Sequence, residues 1–377
     1  MIPFNKPYCS GREQTYMAEV CRSMTMSGNG DFTKKCHSFF EDRYGFRKVL
    51  LCTSGTDALE MCAMLCNLNE GDEVIVPSYT FVSSAIAFIR EKAKVVFADS
   101  GKYNPNITAE TIEPLITPKT RVICVVHYAG VACDMDAIMA LAEKHGIIVV
   151  EDAAHAIDSY YKGRPLGSIG HLAAFSFHET KNIICGEGGM LAINDERFVS
   201  RAEILWEKGT NRAEFYRGMV NKYGWCDMGS SFLPSEFNAA YLWAQLEQID
   251  DIQQRRKLLW QTYYDVLQPV IDKARFTLPQ IPDYATNNAH MFYIVCPSLD
   301  VRTRLMSYLK ENGVQSTFHY IPLHSSDYAK THYTDIAELP ECDRYGDCLV
   351  RLPLYYELTE DEARYIAGLI LKFQEAN

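Results

Sequence analysis

Apolar residues recur along the chain with two spacings, and the two alternate. Short aliphatic and β-branched runs occupy 48–52, 73–76, 94–98, 121–126, 147–151, 172–177 and 190–193. Each is brief and nearly continuous, as expected of a strand buried on both faces. Longer stretches with apolar positions at helical spacing lie between most of them, at 56–66, 81–91, 109–115 and 135–145. Such alternation predicts an α/β fold built on a mainly parallel sheet of seven strands, covered on both faces. Ligands in such sheets bind at the carboxyl ends of strands.

Ahead of this region, residues 1–30 are mixed in character and close on the turn signal Ser27-Gly28-Asn29-Gly30-Asp31. Residues 32–44 read as a helix, with Phe32, Cys36, Phe39, Phe40 and Tyr44 near helical spacing, and Gly45 ends it. After Asn194 the pattern turns helical: 198–208 is one helix, 209–232 is irregular and polar, and 235–267 reads as one long helical stretch. Shorter units follow Pro269, with strands near 291–296 and 315–318 and helices at 301–311 and 360–373. The expected division is a large α/β domain over 1–245 and a smaller α+β domain over 246–377, joined by the long helix. No internal repeat or low-complexity tract is visible.

Composition changes this picture little. With 377 residues, 47% hydrophobic and 23% charged, the chain is long enough for two domains and a sizeable core. A net charge of −11 argues against binding a nucleic-acid backbone, which needs a basic surface. The 13 cysteines are odd in number and lack metal-ligand spacing; Cys52, Cys62, Cys66, Cys124 and Cys296 sit in apolar runs, as buried free thiols do. No metal site is expected. The opening Met1-Ile2-Pro3-Phe4-Asn5-Lys6-Pro7 has no signal-peptide core, and no apolar run approaches the ~20 residues of a membrane span. A cytoplasmic location is the expectation.

Candidate chemistry collects at predicted strand ends. The first strand runs into Thr53-Ser54-Gly55-Thr56-Asp57, where Gly55 allows close backbone approach and Thr56 stands at a helix start. Free amides and the helix dipole make that a phosphate seat, or else a plain N-cap. The fifth strand ends in Glu151-Asp152-Ala153-Ala154-His155. Asp152 there can hold a proton on a ring nitrogen, bind magnesium or cap a helix. An aromatic in Pro77-Ser78-Tyr79-Thr80-Phe81 can stack on a planar ligand or belong to the core. Lys181 stands between two strands, in Ser176-Phe177-His178-Glu179-Thr180-Lys181, edged by Gly186, Gly188 and Gly189. A lysine so placed is either solvated on a loop or, once neutral, able to form a Schiff base with an aldehyde cofactor.

Taken jointly and in this order, Ser54-Gly55-Thr56, Gly71-Asp72-Glu73-Val74-Ile75-Val76-Pro77, Glu151-Asp152-Ala153-Ala154-His155 and Ser176-Phe177 with Lys181 and Gly186-Glu187-Gly188-Gly189 resemble the pyridoxal-phosphate (PLP) sugar aminotransferases. The likeness runs from Pro3 beyond Pro353. It implies the type I, aspartate-aminotransferase-like fold of PLP-dependent transferases. It also implies a homodimer or higher homo-oligomer with its active site at the interface, acting on a nucleotide sugar and L-glutamate, with no nucleic acid or membrane partner. The runs Phe177-His178-Glu179-Thr180-Lys181-Asn182, Glu207-Lys208-Gly209-Thr210-Asn211-Arg212 and His319-Tyr320-Ile321-Pro322-Leu323-His324 narrow it to enzymes that aminate C4 of dTDP-4-keto-6-deoxyglucose, on routes to lipopolysaccharide or enterobacterial common antigen.

By this resemblance Lys181 binds PLP and moves the proton, and Asp152 pairs with the pyridine nitrogen. Gly55, Thr56, Asp57 and Ser176 form the phosphate seat. Phe81 stacks on the ring and His155 lies over it. Many relatives carry Gly-x-Asn-x-Arg before the long helix, the Asn reaching a partner's phosphate; here the run is Gly229-Ser230-Ser231-Phe232-Leu233, leaving Ser231 to make that contact. Arg212, His319, Tyr320 and His324 are candidates for the nucleotide sugar, with packing as the other reading of Tyr320 and His324. The PLP sugar dehydratases resemble this group but carry histidine in place of Lys181. A nicotinamide dehydrogenase would want G-x-G-x-x-G after the first strand, and none is present.

Overall fold

A computed structural model describes residues 1–270, 276–334 and 336–375. Its centre is a seven-stranded sheet made of β1 (Lys48–Cys52), β2 (Glu73–Pro77), β3 (Lys94–Ala98), β4 (Thr120–Val126), β5 (Ile148–Asp152), β8 (Leu172–Ser176) and β9 (Gly189–Ile193). A small hairpin of β6 (Tyr160–Tyr161) and β7 (Arg164–Pro165) interrupts the series. The strand order is β1-β9-β8-β5-β4-β2-β3, and β9 alone runs antiparallel to its neighbours. Alternation within each strand feeds two apolar layers. Val49, Leu51, Ile123, Val149, Phe175 and Met190 point to one, and Leu50, Cys52, Val122, Val150, Ala174 and Leu191 to the other.

Helices cover both layers. The first takes α2 (Asp31–Tyr44) and α6 (Met135–His145), and the second takes α3 (Gly55–Leu65), α4 (Ser83–Arg90) and α7 (Val199–Trp206). Most bounds lie within a residue or two of the sequence expectation, the usual uncertainty of helix and strand ends. Residues 1–30, read as mixed, contain a helix, α1 (Glu13–Ser23). Two short helices, α5 (Ala109–Ile112) and α8 (Arg212–Tyr216), complete this part of the chain.

Two expectations need correction. The long helix over 235–267 is two helices, α9 (Glu236–Leu246) and α10 (Ile249–Leu267), broken where Gln248 leaves helical geometry at φ −112°, ψ 10°. Their loyalties differ: α9 packs on α1 and α2, whereas Leu259, Trp260, Tyr263 and Leu267 of α10 join a third apolar cluster. The strand expected at 315–318 is not one; the chain there makes only isolated bridges, Val314 with Ile2 and Thr317 with Arg351.

The third cluster is built on a two-stranded antiparallel pair, β10 (Phe292–Val295) and β11 (Leu349–Leu352). Helices α11 (Leu299–Glu311), α12 (Asp327–His332), α13 (Pro340–Cys348) and α14 (Glu360–Glu375) belong to the same C-terminal part of the chain. Tyr79, after β2, and Tyr128, after β4, enter this cluster from the sheet. The C-terminal part therefore covers the carboxyl ends of the central strands. Among the described residues no helix is long and apolar enough to cross a membrane. All thirteen cysteines carry free thiols, most of them buried.

One buried carboxylate fixes the backbone just behind the strand mouth. Glu151 on β5 accepts from the amides of Gly167 (2.7 Å), Ile169 (2.8 Å) and Gly170 (2.5 Å), and from the His127 ring (2.9 Å). Burial alone would raise its carboxyl. The His127 ring and the amides outweigh that and hold it below the ordinary glutamate value. Glu151→Ala strands these donors in the core. The variant is expected to lose about 3–5 kcal/mol of stability in urea denaturation; a loss below about 1 kcal/mol would show that the loop is held by something else.

Candidate active site

The mouth of the sheet gathers the ends of β1, β5 and β8 with the start of β9. Cys52 and Ser176 both pair with Gly189, and Asp152 pairs with Ala174 and Val126. The chain leaves β1 through Ser54, an extended N-cap (φ −157°, ψ 165°), and enters α3 at Gly55. The first four amides of a helix have no partner inside it. Ser54 Oγ takes that of Asp57 (3.0 Å) and its carbonyl that of Ala58 (3.2 Å). The Gly55 and Thr56 amides remain, at the positive end of the helix dipole, as a seat for an anion. The N-cap is Ser54, not Thr56, which lies inside the first turn of α3.

Backbone crowding explains two glycines here. A Cβ on Gly55 would meet the Ser176 Cβ at 2.8 Å, and one on Gly189 would meet the Ser54 carbonyl oxygen at 2.2 Å. Ser176 is thereby set against the start of α3. Its Oγ accepts only a long hydrogen bond from the His178 amide (3.4 Å). The Thr56 hydroxyl lies 2.7 Å from that of Ser83, and the Asp57 carboxylate is held by the Thr53 hydroxyl.

Asp152 ends β5 and is buried. Ser84 donates its hydroxyl to Oδ2 (2.7 Å), and the Ala154 amide donates to Oδ1 (3.1 Å). Burial raises the carboxyl above the usual aspartate value despite these donors and the Lys181 charge. Lys181 lies on the β8–β9 loop, which closes on itself. Phe177 N–H donates to the Gly188 carbonyl (2.8 Å), Cys185 N–H to that of Phe177 (2.8 Å), and Glu179 N–H to that of Gly186 (2.9 Å). Gly186 sits at φ +81°, where a side chain would be strained. Burial pulls the Lys181 amine down from 10.5 to about 8; Asp152 resists, and the Arg351 charge adds to the fall. Lys181 is thus half-buried on its loop, with an amine brought down by burial and sustained by the Asp152 charge.

Aromatic and imidazole rings surround this pair. His155 stacks on His290 (centroids 4.2 Å apart), accepts at Nδ1 from the Ala129 amide (3.3 Å), and has Nε2 3.5 Å from the Tyr320 hydroxyl. His319 stacks on Tyr320 at 3.7 Å. Burial holds all three histidines well below the ordinary imidazole value, so they are neutral. Phe81 keeps 57% of its surface exposed and lies 6.2 Å from Tyr320, whereas Tyr79 is 1% exposed and belongs to the core. Of the two aromatics after β2, Phe81 is thus the one with a free face.

Three expected residues stand apart from the cluster within this single chain. Arg212, at the start of α8, is half exposed and engages Tyr216 (2.8 Å) and Glu207 (3.9 Å). Ser231 is exposed, in a bridge with Glu207. His324 is buried and hydrogen-bonds Ser78 (2.7 Å) and Ser325 (3.2 Å), with Asp343 at 3.3 Å, which is the packing reading. Three residues at the site went unnoticed in the sequence. Ser84 carries no local signal on α4. Asn182 donates to Gln253 and to the Asn288 carbonyl (both 2.8 Å) and accepts from His290 Nδ1 (2.8 Å), pinning the residue after Lys181. Arg351 comes from β11, far along the chain, and its Nη1 donates to His319 Nε2 (2.8 Å).

The sequence profile of the DegT/DnrJ/EryC1/StrS aminotransferase family matches residues 7–371. SpsC, a spore coat polysaccharide biosynthesis protein of Bacillus subtilis (strain 168), is 31% identical over 369 residues, covering 96% of this chain and 94% of SpsC. Spr1654 of Streptococcus pneumoniae, assigned to the sugar aminotransferases, superposes in its PMP-form with a TM-score of 0.92 at 26% identity, covering 100% of both chains. Its PLP-form superposes with a TM-score of 0.91 over 100% of this chain and 99% of that one. DesV of S. venezuelae, in complex with a ketimine intermediate, gives 0.91 at 27% identity, covering 99% of this chain and 98% of its own.

The Lys181 environment has a direct readout. Amine-directed modification of the cofactor-free protein, mapped by peptide mass spectrometry across pH, is expected to label Lys181 with a midpoint of about 8. Only the neutral amine reacts, so labelling rises with pH. Asp152→Asn removes the charge that holds the proton on and should move the midpoint down. A wild-type midpoint near 10.5 would mean that the amine is solvated.

Proposed function

The chain belongs to the DegT/DnrJ/EryC1/StrS aminotransferase family, and from that premise we propose that it moves the amino group of L-glutamate to the 4-keto carbon of dTDP-4-keto-6-deoxyglucose. The products are dTDP-4-amino-4,6-dideoxygalactose and 2-oxoglutarate, formed in two half-reactions in the cytoplasm. One observation supports the chemistry above all: Lys181, whose amine burial brings down to about 8, is coupled by charge to Asp152 at the end of β5. The choice of sugar rests on the Phe177–Asn182 and His319–His324 runs.

PLP is the cofactor, and the residues suit each of its ends. The unpartnered Gly55 and Thr56 amides with the Ser176 hydroxyl suit a phosphate. Asp152, buried but already carrying two donors, suits a protonated ring nitrogen. Phe81 offers a free aromatic face and His155 a buried neutral ring. When bound, PLP supplies the electron sink that lets an amino group leave one carbon and join another. The chain's own part is proton transfer and exclusion of water. Lys181 Nζ takes the proton from the donor's Cα in the first half-reaction and returns one to sugar C4 in the second. Asp152 keeps the ring nitrogen protonated throughout. His155 and His290, both neutral, add no competing charge beside Lys181.

The working form we propose is a homodimer. Tyr216, Met219, Tyr223, Trp225 and Met228 are all exposed, Trp225 at 79%, within one irregular segment that also carries Arg212 and Ser231. A patch of this kind is suited to a second copy of the chain. It would bring those two residues toward the partner's site.

Two measurements test this reading. Purified protein incubated with glutamate and a panel of dTDP- and UDP-linked keto sugars, with products read by NMR, is expected to yield the 4-amino galacto product from the dTDP substrate. Amination at C3 or the gluco epimer would assign another nucleotide sugar. No amination of any sugar would overturn the reading. Lys181→Ala is expected to keep the wild-type melting curve while kcat falls by about a thousandfold or more. Steady-state activity near wild type would remove the lysine from the mechanism.

A further inference from the structure

Asp152 stands at one end of a row of buried hydroxyls. Ser84 Oγ lies 2.7 Å from Asp152 Oδ2, and Thr80 Oγ1 lies 2.8 Å from Ser84 Oγ. All three side chains are buried. A carboxylate only accepts, so the Ser84 proton points at Asp152. Ser84 then has no proton for Thr80, and Thr80 donates to it. The row has one direction, from Thr80 through Ser84 to Asp152. Neither hydroxyl is used as its position would suggest. A hydroxyl inside a helix commonly donates to the carbonyl four residues back, as those of Thr262 (2.9 Å), Thr303 (2.8 Å) and Thr331 (2.8 Å) do. Ser84 meets the side chain four residues back instead. Nor does either hydroxyl cap α4, whose N-cap position is Val82 and carries no side-chain hydrogen bond. The turn that presents Thr80 is pinned by the C-terminal part of the chain. Thr80 N–H and Leu323 N–H both donate to the Ser78 carbonyl (3.1 and 2.8 Å), and His324 N–H donates to Ser78 Oγ (3.1 Å).

We propose that Thr80 is a positioning residue for the reaction: by donating to Ser84 it fixes the Ser84 proton on Asp152, and so keeps Asp152 the acceptor, rather than the holder, of the proton it shares with a ring nitrogen. This rests on the reading of Asp152 as the partner of the PLP ring nitrogen. Two bases compete there for one proton. Burial favours the neutral carboxyl, and the Ser84 hydroxyl comes first among the groups that oppose it. Hydrogen bonds in a chain polarise one another, so a Ser84 that receives a proton from Thr80 is the better donor to Asp152. Without Thr80 the Ser84 hydroxyl is also free to rotate away. Either loss makes Asp152 more basic, and the shared proton moves from the ring towards the acid. A ring without that proton withdraws less charge from the reacting carbon, and the electron sink weakens. The other groups acting on Asp152 are the Ala154 amide, Lys181 and His127, whose ring Glu151 already holds. Cys62, Cys124 and Tyr320 feel the Asp152 charge in turn and are kept neutral by burial.

The test is NMR of the full-length protein loaded with PLP that is isotope-labelled at its ring nitrogen. Wild type is expected to show a protonated nitrogen. Thr80→Val keeps the shape and loses the hydroxyl, so it should move the signal towards the unprotonated position, and Ser84→Ala should move it further. For Thr80→Val the ratio in which ring and acid share the proton should change by about twofold to tenfold. Its kcat should fall by a similar factor, with the KM for glutamate within about twofold of wild type. Thr80→Ser retains the donor and should keep the wild-type signal. In the cofactor-free protein the Asp152 carboxyl, followed by carbon NMR, should titrate at higher pH in Thr80→Val than in wild type, because its charged form has lost support. A role in packing alone would move neither signal. If Thr80→Val does not fold, Thr80→Ala carries the test, and a wild-type nitrogen signal in the variant used overturns the proposal. Should Asp152→Asn move that signal while the Thr80 variant does not, the reading of Asp152 stands and the proposal alone fails. Should Asp152→Asn leave the signal in place, the reading itself fails and the proposal falls with it.

Discussion

Desolvation of opposite charges at the mouth of a parallel sheet is the constraint on which this structure turns. Lys181 and Asp152 are both deep enough for burial to dominate their protonation, and it pushes them toward neutrality from opposite sides. Each is the other's largest charged compensation. Neither would keep its state if the pocket filled with water, because the same charges interact far more weakly at high dielectric. Much of the surrounding architecture ties down the backbone around that pair by hydrogen bonds. Glu151 gathers the Gly167–Gly170 amides behind β5, Asn182 fixes the residue next to the lysine, and β10 and β11 close the open end of the strands.

The second organising feature is an excess of positive potential. The charges of Lys181, Arg351 and Arg256 are felt from one to the next, Asp152 opposes that of Lys181, and Glu151 is already committed to His127 and three amides. The start of α3 adds the positive end of a helix dipole and two free amides. An acidic protein has thus built a cationic interior. Net charge of −11 describes the surface and says nothing of this pocket. Ligands bearing a phosphate and a carboxylate would complete the site electrostatically, which is the physical sense in which a PLP-dependent aminotransferase suits this chain.

Much of this was legible in the sequence because it is local. Continuous aliphatic runs read as strands buried on both faces, and three of them run into a candidate site residue: Ser54-Gly55 after β1, Asp152 at the end of β5, Ser176 at the end of β8. Glycines could be assigned to close approach because they flank those ends. The parts that were missed depend on partners distant in sequence. Nothing between Leu246 and Ile249 breaks a helix by propensity. The break exists because α9 is held by α1 and α2 while α10 turns its apolar stripe to the third cluster. The 315–318 run has strand-like character, but only Thr317 finds a bridge partner there, so no ladder forms. Arg351 sits in a four-residue strand whose mate is β10, and neither its burial nor its missing partner leaves a trace in the neighbouring letters.

In the proposed mechanism three separate strand ends serve one cofactor. The most direct measurement is a crystal structure of the protein loaded with pyridoxal phosphate. The account predicts continuous density from Lys181 Nζ to the cofactor, its phosphate on the Gly55 and Thr56 amides and the Ser176 hydroxyl, and its ring nitrogen on an Asp152 oxygen. Density joined to another lysine, or a phosphate seated away from the start of α3, would contradict it.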